Sequence, residues 1–151
     1  MSTRCQVQVI EGPEARNKVT LYHHYDGYPS KMLPLIHKAY ELSGGEWEAG
    51  RAGKMASFLC ASDPGQFEPE AGHDLHSADI AYFYTVKPST DEKHVGVNPK
   101  WIVTVYDIPF DATGIEDMTE LASGPSAEMA QRKDAGVRIG GGLVVVATGS
   151  G

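Results

Sequence analysis

Two groups of side chains in this sequence are of the types that perform acid–base or metal chemistry. The stretch Leu21–Ser30, LYHHYDGYPS, sets His23, His24 and Asp26 among Tyr22, Tyr25 and Tyr28, beside Gly27 and Pro29. The second group is His73, Asp74, His76 and Asp79. A neutral imidazole titrates near physiological pH and serves as a general base. Imidazoles and carboxylates are also zinc ligands, and a catalytic zinc needs three of them with a fourth position open. His23, His24, Asp26, His73 and His76 are therefore the candidate metal or acid–base residues. The spacing His-x-x-His in a loop is a weak signal, with no His-Glu-x-x-His helix and no paired cysteines beside it. Histidines hydrogen-bonded within a tyrosine-rich corner are the simpler reading, and no metal or other cofactor is expected.

Nucleophilic chemistry has little support. Cys60 falls on the apolar stripe of a helix, where burial raises a thiol's pKa and leaves it inert. No Gly-x-Ser-x-Gly elbow is present. Gly140-Gly141-Gly142 lacks the Lys-Ser/Thr of a phosphate loop and precedes a strand, whereas a dinucleotide-binding loop follows one. No catalytic residue is assigned. The aromatics Tyr22, Tyr25, Tyr28, Tyr82, Phe83, Tyr84, Trp101 and Tyr106 all fall on or beside strands. Most belong to the core or to cross-strand pairs. If one sheet face is left uncovered, its tyrosines and Trp101 would form an amphipathic patch suited to a partner. The candidate binding residues are His23, His24, Tyr25, Asp26, Tyr28 and Trp101.

The elements that must position these residues follow from periodicity. Arg4–Ile10 alternates polar and apolar, as a half-buried strand does. Glu11-Gly12-Pro13-Glu14 is a turn, and Lys18–Tyr25 is a second strand, so the two form an antiparallel hairpin. Pro29 opens a helix that runs to Leu42, with Met32, Leu35, Ile36, Ala39 and Tyr40 as its buried stripe and Pro34 in its first turn or at its true start. A second helix covers about Arg51 to Ala61, with a polar loop after it. Asp79–Val86 and Trp101–Ile108 are rich in the aromatic and β-branched residues of strands. The order strand-strand-helix-helix-strand-strand predicts an α+β fold: an antiparallel four-stranded sheet with helices on one face. Residues 1–108 form this core domain. Residues 109–151 form a C-terminal extension with a short helix at Ser126–Ala135 and a Val-rich strand at Leu143–Ala147, packed on the core or on a neighbouring subunit.

The chain has 151 residues and a formal net charge of −7. That charge speaks against direct nucleic-acid binding, which needs clustered Lys and Arg. The longest apolar run, Leu143–Ala147, is far too short to span a bilayer, so no membrane role is expected. The first residues lack the apolar run of a signal peptide, and a cytoplasmic location is expected. Cys5 and Cys60 are expected as free buried thiols.

The segment Tyr22–Pro29, followed by Leu33-Pro34, resembles small bacterial, phage and prophage proteins in which a strand ends in His-x-Asp-Gly-Tyr-Pro and a helix begins. The resemblance covers about the first quarter of the chain, with Ala81-Tyr82-Phe83-Tyr84 as weaker support. It implies a small protein of mobile-element origin and carries over no activity. The leading expectation is a non-enzymatic binding or protein-interaction protein that associates with itself or with another protein. The alternatives are a small metal-dependent or His/Asp acid–base hydrolase and an acidic inhibitor of a host defence nuclease. At the corner, Gly27 is expected at positive φ and Asp26 as an acceptor of backbone amides or a helix cap. His23 and His24 should point to opposite sheet faces.

Overall fold

Alternating side chains over Arg4–Glu11 form strand β1, which sends Cys5, Val7 and Val9 into the core. β1 pairs antiparallel with β2 (Asn17–His23), with Val7 opposite Leu21 and Cys5 opposite His23. Two helices follow, α1 (Pro29–Leu42) and α2 (Ala52–Ser62), and then a short strand β3 (Phe67–Pro69) on the outer side of β2. The chain next crosses to the other flank of β1, where β4 (Ile80–Pro88) pairs with it in parallel. Strands β5 (Trp101–Asp107) and β6 (Thr119–Pro125) add antiparallel, and helix α3 (Ser126–Gln131) comes next. β7 (Arg138–Ile139) and β8 (Gly142–Leu143) pair with each other in a separate two-stranded sheet. The computed structural model describes residues 3–11, 17–48, 51–69, 80–89, 100–108 and 118–131, with the backbone of 138–139 and 142–143.

The fold is α+β, but its main sheet has six strands in the order β3-β2-β1-β4-β5-β6. The antiparallel four-stranded sheet expected from the sequence is corrected in two respects. First, β1 and β4 are parallel, because the connection through both helices and β3 returns the chain to the start of β1 instead of its end. Second, two strands carry little strand character. β3 is three residues long and contains a proline, and β6 (TELASGP) is built mostly of turn-forming residues. Both lie at the sheet's edges, where few ladder bonds are required and proline is tolerated. β6 and α3 pack against β5 and α1, so part of the stretch 109–151 belongs to the same core.

All three helices cover one face of the main sheet. α2 packs on β1, β2 and β3, α3 packs on β5 and β6, and α1 lies between the two helices and reaches β5. Met32, Leu33, Ile36 and Ala39 of α1 meet Ala52, Met55, Ala56 and Leu59 of α2 over Val7, Leu21, Tyr84, Val103 and Val105. Pro34 stands inside α1 and not at its start, since Pro29 already occupies the first turn. Its missing amide removes one helical hydrogen bond. Leu33 takes the buried position expected of Leu35, which packs only partly buried against the core. Among the described residues, no helix is long and apolar enough to cross a membrane.

The opposite sheet face carries a row of hydroxyl and amide side chains. In register across five strands stand Thr20, Gln8, Thr85, Thr104 and Ser123. Gln8 Nε2 donates to Thr20 Oγ1 at 2.9 Å, and Thr104 and Ser123 share a hydrogen bond of 2.8 Å. Gln6, Phe83, Thr85 and Thr104 on this face are buried.

Candidate functional site

The corner after β2 is built around Gly27. Its amide donates to the Thr3 carbonyl at 2.8 Å, and its carbonyl accepts the Tyr84 hydroxyl at 2.7 Å. A Cβ on Gly27 would stand 2.9 Å from the Cys5 Cβ and 3.0 Å from the Thr3 carbonyl oxygen. Glycine is therefore required for close approach to the start of β1. The residue with positive φ is Asp26, at 54°, and Gly27 is not in the left-handed region. This corrects the expected turn: short polar Asp tolerates that region, so the glycine is spent on packing. Asp26 is exposed and does not cap the helix, because the N-cap of α1 is Tyr28 without a side-chain cap bond. Pro29 at the first position removes one amide that would otherwise need a partner.

His23 and His24 diverge as strand alternation requires. His23 ends β2 on the helix side, with a side chain only 2% exposed. Its Nε2 lies 2.9 Å from Oδ2 of Asp63, the C-cap of α2, and its ring meets the Phe67 ring edge-on at 4.8 Å. Its Nδ1 is buried with no hydrogen-bond partner. His24 stands on the other face, half-exposed, with Nδ1 at 2.5 Å from the Tyr22 hydroxyl and its ring perpendicular to Tyr25 at 4.5 Å. Tyr25 and Tyr28 project into solvent, 56% and 47% exposed. Tyr28 leans on Tyr82, with ring centroids 6.3 Å apart.

Of the candidate binding residues, Tyr25, Asp26 and Tyr28 are surface groups, His24 is partly so, and His23 is sealed in. Trp101 is also removed from the surface. It is fully buried on the helix side, donates Nε1–H to the Glu46 carbonyl at 3.0 Å, and is met edge-on by Tyr40 and Trp47. The expected patch joining Trp101 to tyrosines on the uncovered face is thus not formed. In the candidate metal set, His73 and His76 (with Asp74 and Asp79) lie outside the described residues. Among the described residues, no three His, Cys, Asp or Glu side chains group as metal ligands.

Cys5, His23 and Asp63 follow one another as in a thiol–imidazole–carboxylate relay, since Cys5 faces His23 across the β1–β2 pair and His23 bonds Asp63. The chemistry does not follow from the order. Cys5 is fully buried, and burial pushes its thiol far above the ordinary value, so the nucleophilic thiolate is suppressed. Cys60 is only half-buried, and burial raises its thiol as well. The His23–Asp63 contact ties a strand end to a helix end.

A second constellation escaped the sequence reading. His37 on α1 places Nδ1 at 3.0 Å from the Ser126 hydroxyl at the start of α3, and its ring stacks on Tyr40 at 5.6 Å and 17°. Beside them lies a cleft of about 130 Å³ lined by Tyr40, Lys100, Pro125, Ser126, Ala127 and Glu128. His37 and Ser126 are 89 positions apart, and no local pattern joins them. Comparison with family models, with curated proteins and with solved structures finds no match to this chain.

Proposed function

We propose that this protein is a non-enzymatic binding protein whose contact surface is the corner at His24, Tyr25 and Tyr28, and that its partner is a second copy of itself. The observation that carries this reading is the exposure of Tyr25 and Tyr28, 56% and 47%, on a backbone pinned by Gly27. Tyrosine offers a large amphipathic surface with only two side-chain torsions to order, which is why it recurs at interface centres. The His24 ring holds Tyr25 edge-on and restricts it before any partner arrives. A two-fold dimer would bring the same patch of both copies together and cover both tyrosines of each. The net charge of −7 supports a protein partner over a nucleic acid. The resemblance of the corner segment to phage and prophage proteins favours a mobile-element origin.

Light scattering after size exclusion tests the proposal. The expected mass is twice the 16.3 kDa of the chain, and the Tyr25→Ala/Tyr28→Ala double variant should return to a single chain. A wild-type monomer at micromolar concentration would overturn self-association. A dimer indifferent to the double substitution would overturn the assigned surface.

A further inference from the structure

We infer that the cleft between α1, the β5–β6 edge and α3 is a binding site for a small zwitterion, a molecule with a carboxylate and an ammonium on a short carbon frame. The inference is independent of the self-association reading. Lys100 immediately precedes β5, whereas the corner lies against Tyr82, which pairs with Asp107 at the far end of that strand.

Size sets the first limit. An apolar cavity of about 150 Å³ takes benzene, so one of about 130 Å³ takes a frame of about six non-hydrogen atoms. The enclosed part of the cleft matches a short carbon frame better than a nucleotide or drug-sized cofactor, whose sites run to about 300–1,000 Å³. The walls set the second limit. Tyr40, Pro125 and Ala127 offer ring and methyl surface for a carbon frame, and the Ser126 hydroxyl is the polar group beside them. Ser126 is buried and bonded to His37, whose ring is stacked on Tyr40, so this part of the cleft is fixed before a ligand enters. A wall ordered in advance lowers the cost of binding.

Charge sets the third limit. Lys100 and Glu128 both line the cleft, yet neither side chain has an ion-pair or hydrogen-bond partner among the described residues. Their charged atoms are not within 4.0 Å of each other, since no salt bridge joins them. A simple anion attracted by Lys100 is repelled by Glu128, and a simple cation meets the reverse. A molecule carrying both signs satisfies both, and selection against singly charged analogues follows from the repulsive partner.

Amide-resolved NMR titration of the intact protein with 4-aminobutyrate and with glycine is the test, with butyrate and butylamine as singly charged controls. The two zwitterions differ in the separation of their charges, and the tighter one reports the span from Lys100 to Glu128. The expected result is saturable shifts at Lys100, Ser126 and Ala127 with a Kd at or below about 1 mM for at least one zwitterion. Butyrate and butylamine should bind at least tenfold more weakly. Lys100→Ala and Glu128→Ala, both at exposed positions, should each weaken the zwitterion at least tenfold while leaving distant resonances in place. Absence of saturable shifts with either zwitterion up to about 20 mM overturns the inference. Equal binding of butyrate or butylamine, or binding retained in either variant, overturns it as well.

Discussion

The Tyr84 hydroxyl donates to the Gly27 carbonyl at 2.7 Å across 57 positions of sequence, from the middle of β4 to the turn that launches α1. Tyr84 is fully buried, and burial is the first cause that holds its phenol well above the ordinary value. Tyr84→Phe keeps the ring and leaves a carbonyl without its partner, at a cost of about 1–2 kcal/mol. Urea denaturation of the variant measures this directly. An unchanged midpoint would mean that water replaces the hydroxyl at no cost.

Gly27→Ala should be costlier than an ordinary turn substitution. The added methyl meets the Cys5 Cβ at 2.9 Å, the Thr3 carbonyl oxygen at 3.0 Å and the Arg4 backbone at 3.1 Å, so β1 or the turn must shift, for about 1–3 kcal/mol of lost stability. Because the clash involves Cys5, Gly27→Ala combined with Cys5→Gly should recover part of the loss. Strictly additive effects in that cycle would show that the two positions are not coupled.

Asp63→Ala removes the one hydrogen-bond partner of a buried imidazole whose Nδ1 already has none. A loss of about 1–3 kcal/mol is expected. Adding His23→Leu to Asp63→Ala should restore stability toward the wild type, since an apolar side chain leaves no polar group stranded. A double variant weaker than Asp63→Ala alone would show that the imidazole's packing on Phe67 outweighs its polarity.

Alkaline pH should destabilise the fold through two buried acids. Burial raises the Cys5 thiol above its ordinary 9.0 and the Tyr84 phenol well above its ordinary 10.0. The unfolded chain therefore releases both protons while the folded chain keeps them, and stability falls as pH rises through about 9 to 10 and beyond. Below pH 9 this contribution is fully present. Urea midpoints between pH 8 and 11 should decline more steeply for the wild type than for Cys5→Ala/Tyr84→Phe. Parallel declines would assign the alkaline loss to other groups.

The readable parts of the sequence were those with strong period. β1, β2, α1 and α2 fall close to where alternation and helical stripes put them, and His23 and His24 diverge as expected. The edge strands β3 and β6 were illegible because edge position relaxes the need for β-branched residues, and their sequences look like turns. The parallel pairing of β1 with β4 depends on which end of β1 the later chain returns to, and nothing local to either strand encodes that. Trp101 was misplaced because alternation fixes which residues share a face but not which face the helices cover. Gly27 was recognised as necessary for the wrong physical reason, since a clash with Cys5 cannot be seen from one strand alone.

The parallel β1–β4 pair governs the order in which this chain can be completed. Val7 finds Leu21 within a local hairpin, but its other neighbour, Tyr84, lies in the second half of the chain. During synthesis the hairpin, α1 and α2 emerge with one flank of β1 open, and that flank closes only when β4 leaves the ribosome. Such distant pairings are slow to form, and until then the first half carries an unsatisfied strand edge. A chain broken between α2 and β4 would therefore give two pieces, neither a folded unit, each holding one side of the same central ladder.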